Sequence, residues 1–170
     1  SVGKSADGRD IPIVIFSLTD LSGAKTLEEA AALIRANEKL TVHYQAQIHG
    51  NEPAGGEAAL ATIGRLDTPA YGDRLLEKMN IYVLPRLNPD GSHDYIRVVP
   101  STKLNGNRDY LMARTVEIQA QHYVYNLFMP ELAIDGHEYT VDLANNNMAY
   151  KDMMMAGGYN GNSGAEFAKF

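Results

Sequence analysis

Apolar positions along the first half of the chain switch repeatedly between a strand-like and a helix-like pattern. Residues 11–18 (IPIVIFSL) form a short run rich in β-branched side chains and predict a buried strand. Residues 27–40 change to helical spacing, with Leu27, Ala30, Ala31 and Ile34 on one stripe. Thr26 and Glu29, three residues apart, supply a capping box at its start. Residues 41–48 (TVHYQAQI) predict a second strand, and residues 53–66 a second helix that begins at a proline and continues in small residues. Residues 73–79 predict a helical turn and residues 81–84 (IYVL) a third strand. In residues 115–128, Val116, Ala120, Tyr123 and Leu127 share one helical face, and residues 131–134 lead into a fourth strand.

Strands alternating with helices predict an α/β fold with helices on both faces of a sheet. Ligands in such folds sit beyond the carboxyl ends of the strands. The chemically interesting residues fall there: His49 after the second strand, residues 86–91 after the third, His137 after the fourth. From Asn145 the pattern degrades into an Asn triplet, a Met triplet (153–155) and a Gly/Asn-rich run (157–164). With no linker or internal repeat in view, residues 1–170 are expected to form a single, incomplete domain, cut short on the C-terminal side.

Composition then removes several classes of function. Fifteen basic against 21 acidic residues leave a formal charge of −6, with no basic run, so neither nucleic acid nor a membrane is the expected partner. No apolar run is long enough to span a bilayer. The chain has no cysteine, which excludes disulfides, thiolate catalysis, zinc ribbons and iron–sulfur clusters.

What remains is imidazole, carboxylate and guanidinium chemistry. In His49-Gly50-Asn51-Glu52 a histidine ends a strand and a carboxylate follows at the start of a helix, with a turn between that lets both converge. Asp135-Gly136-His137 ends another strand at the same edge. Two histidines and a glutamate are the protein ligands of a catalytic zinc site that keeps one position open. Asn88-Pro89-Asp90-Gly91 has strong turn chemistry. Asn107 and Arg108 place an amide beside a guanidinium, a pair suited to a carboxylate. Taken singly, each motif also has a plain structural reading as a surface histidine, a turn or a solvated loop.

In this order, with Gly8-Arg9-Asp10 near the start, His49-x-x-Glu52, Asn88-Pro-Asp-Gly91, Arg97, Asn107-Arg108-Asp109 and Asp135-x-His137, the sequence resembles the zinc carboxypeptidases, the carboxypeptidase A-like M14 family. The resemblance reaches to about Val141. It implies a three-layer α/β/α fold with a mixed sheet and one zinc ion held by His49, Glu52 and His137. It also implies that Arg97 polarises the scissile carbonyl and that Asn107 and Arg108 bind the terminal carboxylate. The implied activity is hydrolysis of the C-terminal peptide bond of a peptide with a free carboxylate. A zinc-dependent deacylase acting on an N-acyl amino acid would use much the same constellation, and an inactive zinc-binding fragment is the reading from another class.

Three departures from the family pattern stand out. The family's acidic residue behind the first zinc histidine is Asn105 here, and a small hydroxyl residue after the last ligand is Glu138. The family's general-base glutamate and substrate-covering tyrosine come late; Glu138, Asp142, Asp152, Glu166, Tyr150 and Tyr159 do not match their contexts. This chain alone is therefore expected to lack the base. Of the other histidines, His43 is expected to be buried and hydrogen-bonded, His93 exposed and His122 solvated. The Met triplet is expected to pack rather than bind copper.

Overall fold

The computed structural model describes residues 1–138. Within them, residues Ser1–His137 form one compact unit. The elements run β1 (Val14–Phe16), α1 (Leu27–Ala36), β2 (Leu40–Ala46), α2 (Pro53–Leu66), α3 (Pro69–Leu76), β3 (Met79–Leu84), α4 (Pro89–Asp94), a 3-10 turn (Gly106–Arg108), α5 (Val116–Phe128) and β4 (Leu132–Gly136). The sheet order is β1-β3-β2-β4. β2 runs parallel to β3 and β4, and β1 antiparallel to β3, so the sheet is mixed. Among the described residues no helix is long and apolar enough to cross a membrane.

Strand alternation sorts the core into two layers. Val42, Ala46, Ile81 and Val83 point to one face, where α2 and α3 bring Ala59, Leu66 and Leu76. Tyr82 and Leu84 point to the other, where α1 brings Ala31 and Ile34 and α5 brings Ile118, Val124 and Phe128. The three-layer α/β/α architecture expected from the sequence is the one observed.

Several local expectations change. β1 is a three-residue, half-buried edge strand rather than a buried one over 11–18. Among the described residues it pairs with β3 alone; upstream, Pro12 has no N–H to give and Ile11 pairs with Val2 and Gly3 instead. α1 stops at Ala36 because Asn37 caps it and Glu38 takes a left-handed φ of 57°. One half of the capping box forms as expected, with Thr26 Oγ1 accepting from Glu29 N at 3.2 Å; the Glu29 side chain reaches one residue past the cap and accepts from Lys25 N at 2.6 Å. The predicted turn at 73–79 is the end of a full helix, α3, that starts at Pro69. The Asn88-Pro89-Asp90-Gly91 motif opens a short helix, α4, capped by Asn88 Oδ1 accepting from Gly91 N at 2.9 Å. In α5 the buried face is Glu117, Ile118, Ala120, Gln121, Val124 and Phe128, while Val116 and Tyr123 are exposed. The apolar stripe misplaces this helix because two of its inward residues are polar. The tail from Asn145, with its Met triplet and Gly/Asn run, lies outside the described residues, as do Asp142, Tyr150, Asp152, Tyr159 and Glu166.

Candidate metal centre

The carboxyl ends of the parallel strands β2, β3 and β4 share one edge, and the candidate residues follow them directly. β2 ends at Ala46, and the next residue, Gln47, is a non-glycine residue with a φ of 55°, a conformation costing about 1–2 kcal/mol. It is held on every side: its carbonyl accepts from Asn88 N, its amide donates to Gly50 O and Ser92 Oγ, and its Oε1 accepts from Arg86 Nε. The bend sends Ile48 into the core and delivers His49, which is fully buried. Gly50 then packs against the start of α4 so closely that a Cβ would lie 1.9 Å from the Gly91 carbonyl carbon. Only glycine fits there.

Glu52 is the N-cap residue of α2, yet its side chain makes no capping bond. It turns to the strand ends instead. Oε1 lies 2.8 Å from His49 Nδ1 and Oε2 lies 2.9 Å from His137 Nδ1. Arg97 Nη1 also donates to Oε1, at 2.6 Å. The two imidazole rings are 5.0 Å apart between centroids. One donor atom from each of His49, Glu52 and His137 lies within 4.8 Å of the others.

The far sides of both rings are engaged. His49 Nε2 donates to Asn105 Oδ1 at 2.9 Å, as expected for the residue standing at that position. His137 Nε2 lies 3.1 Å from Asp135 Oδ2. Hydrogen bonds to Asp135 and then Glu52 raise the His137 pKa to about 9. With each Nε2 engaged outward, both Nδ1 atoms face Glu52 at the centre. Two imidazole nitrogens and a carboxylate oxygen arranged in this way fit a zinc ion.

Asn107 and Arg108 sit on the 3-10 turn beside this group. Asn107 Nδ2 is 3.4 Å from His137 Nε2, and the exposed Arg108 donates to the Asn107 carbonyl at 2.8 Å. Asp109 serves the fold instead. Its Oδ2 accepts from Thr115 N and Thr115 Oγ1, at 2.8 and 2.9 Å, anchoring the start of α5. Asp90 is fully buried and accepts from Ser5, Arg9 and the Asp7 amide. The Asn88-Pro89-Asp90-Gly91 and Gly8-Arg9-Asp10 motifs thus meet in one structural tie.

His43 is buried, 3.1 Å from Gln45 Oε1 and stacked on Tyr82. His93 is exposed beside Asp94. His122, expected in solvent, is half-covered and stacks on Tyr110 at 5.9 Å between centroids. In the sequence Asp135 stands out only as part of a motif. Its tie to His137 follows from β4, where residues two apart share a face.

With this geometry in hand, comparison with known proteins is decisive. The family described as zinc carboxypeptidase (Peptidase_M14) matches residues 1–103. The chain belongs to the zinc carboxypeptidase family. It is 35% identical over 142 residues to Carboxypeptidase 2 of Trichophyton tonsurans, covering 83% of this chain and 24% of that protein. It is 30% identical over 95 residues to Carboxypeptidase E of Caenorhabditis elegans, covering 53% of this chain and 18% of that one. Among solved structures, a metallo-carboxypeptidase from Burkholderia cenocepacia superposes with a TM-score of 0.65 at 19% identity, over 81% of this chain and 35% of that one. A Pseudomonas aeruginosa metallo-carboxypeptidase, solved with (2-guanidinoethylmercapto)succinic acid, gives 0.61 at 24% identity, over 81% and 34%. These likenesses establish the carboxypeptidase fold. The chain spans about a quarter of the length of such curated relatives and about a third of these solved chains.

Proposed function

We propose that this chain carries the metal centre of a zinc-dependent metallocarboxypeptidase that hydrolyses the C-terminal peptide bond of peptides. The observation that supports the reading most is the convergence of His49, Glu52 and His137, with both rings held from behind. A zinc ion held by these three would polarise the scissile carbonyl and make water a nucleophile at neutral pH.

The chain's own residues supply the rest. Arg97 is half exposed at the rim, so its guanidinium can turn from Glu52 to a substrate carbonyl and stabilise the charge developing on that oxygen. Arg108 is bound only to a neighbouring carbonyl among the described residues, which leaves most of its N–H fork for a carboxylate. Asn107 lies between Arg108 and His137, a step from the centre, and would add a donor to that carboxylate. Within Ser1–His137 the acids at the centre, Glu52 and Asp135, are both turned to the histidines. The group that takes a proton from the attacking water and passes it to the leaving amine is therefore assigned to residues outside this span. Its absence typically costs about 10²–10⁴-fold in rate.

The test pairs a peptide with its C-terminally amidated twin, assayed with the chain and with a longer form of the protein. The free acid should be cleaved, and faster by the longer form. Arg108→Ala should raise KM and lower kcat/KM without loss of metal. Equal turnover of acid and amide would sink the carboxypeptidase reading.

A further inference from the structure

The two histidines of the centre are supported differently. Asn105 is a neutral amide whose orientation is fixed, since its Oδ1 accepts both the His49 ring N–H at 2.9 Å and the Asn107 backbone N–H at 3.0 Å. One shared, uncharged oxygen therefore backs His49. Behind His137 stands a carboxylate. Asp135 precedes His137 by two residues at the end of β4, so both side chains leave the same face. Among the described residues the Asp135 carboxylate makes no other hydrogen bond or ion pair, and its 3.1 Å contact goes to the His137 ring.

We propose that Asp135 is the positioning residue of this centre, holding the His137 ring so that, once a metal is bound, its hydrogen stays on Nε2 and its Nδ1 is the ligand atom beside Glu52, and so that the anionic support lies behind His137 and not behind His49. The inference rests on the proposed zinc reading and extends it to the partner that orients the ligand. Carboxylates stand at both ring nitrogens, Glu52 at Nδ1 and Asp135 at Nε2; a metal bound at Nδ1 would displace any hydrogen there, and Asp135, which can only accept, would then hold the remaining hydrogen on Nε2. The 2.9 Å approach of His137 Nδ1 to Glu52 is then the ligand-bearing side. Anionic acceptors behind a metal-binding imidazole fix the ring and raise its basicity, and their loss typically costs about 10–100-fold in metal affinity. The support also depends on β4, because a slip of one residue would turn Asp135 and His137 to the opposite face together.

The experiment is a zinc titration against a competing chelator, on the unaltered chain, Asp135→Asn and Asn105→Asp. Asp135→Asn should weaken zinc binding about 10–100-fold with the melting temperature of the metal-free protein unchanged, and Asn105→Asp should tighten it. Binding by Asp135→Asn within twofold of the unaltered chain would overturn the inference while leaving the metal site standing. No zinc binding by the unaltered chain would overturn the metal reading and the inference with it. Nitrogen NMR of the zinc-loaded, unaltered chain gives a second reading that needs no variant. The His137 ring should show a protonated Nε2 and a metal-bound Nδ1, and zinc on Nε2 would refute the proposal.

Discussion

Ala59, Leu66 and Leu76 close over Val42, Ala46, Ile81 and Val83 on the α2/α3 side of the sheet. On the α1/α5 side the same strands turn in Thr41, His43, Gln45 and Asn80, and α5 adds Glu117 and Gln121, all buried. Apart from Asn51 Oδ1, the buried side-chain atoms without a hydrogen-bond partner among the described residues belong to this polar side: His43 Nδ1, the Tyr82 hydroxyl, both Glu117 oxygens and Gln121 Oε1. A cavity of about 400 Å³ opens there, lined by His43, Gln45, Tyr110, Gln121 and Asp135 among others. One face is built for stability alone. The other gives up stability to bring polar groups close to the centre.

That contrast can be broken first at its largest apolar contact. Phe128 is buried on the polar side and stacks on Tyr82 at 4.8 Å between centroids. Phe128→Ala should cost about 3–5 kcal/mol, read as a lowered urea midpoint. Leu66→Ala on the plain side, at the end of α2, should cost about 2 kcal/mol. If Leu66→Ala proves the more damaging, the polar face contributes less apolar packing than its contacts imply.

The fold was largely legible because the plain face obeys simple periodicity. Leu66, Leu76, Ile81 and Val83 announce it. The polar face resisted the same reading: Glu117 and Gln121 point inward, so the stripe through Val116 and Tyr123 selected the outer side of α5. At the centre, His49, Glu52 and His137 could be picked out because each follows a strand end and carries ligand chemistry. Asp135 as the partner of His137 was not, since its role depends on where β4 stops. The sequence places Asp90 in a turn motif and Asp109 beside the Asn107-Arg108 pair without showing the structural work of either, because their partners, Arg9 and Thr115, come from other segments.

A smaller effect sharpens the comparison through pH. Burial lifts the Glu117 carboxyl above the usual carboxylate range, and nearby Asp90 and Asp109 add to it. The folded state then holds its proton longer than the unfolded chain, so this group lowers stability as pH rises from about 4.5 toward the raised folded value. Glu117→Gln should remove that decline and gain on the order of 1 kcal/mol at pH 7.5. A pair of urea titrations at pH 4.5 and 7.5 checks it; an equal change at both values would mean the carboxyl is not protonated in the fold.

The smallest expected effect has the opposite sign. Burial lowers the His43 pKa, partly offset by Gln45 and Asp135. The unfolded chain binds this proton more readily, so stability tied to neutral His43 is lost as pH falls below about 6.5. His43→Phe should flatten the stability profile between about pH 6.5 and 5 by less than about 1 kcal/mol. An unchanged slope would show that His43 does not titrate differently in the two states.

The Asp90 tie has a consequence for the order in which the chain assembles. Its hydrogen bonds reach back 85, 83 and 81 residues to Ser5, Asp7 and Arg9. Contacts so remote in sequence carry a large loop-closure cost and slow a folding reaction. The first ten residues should therefore dock last, onto a sheet that β2 and β3 have already begun. Until they do, a carboxylate destined for the interior stays in water. In stopped-flow refolding, Ser5→Ala should speed unfolding while leaving the folding rate nearly unchanged; a matching slowdown in folding would place the N-terminal segment in the nucleus instead.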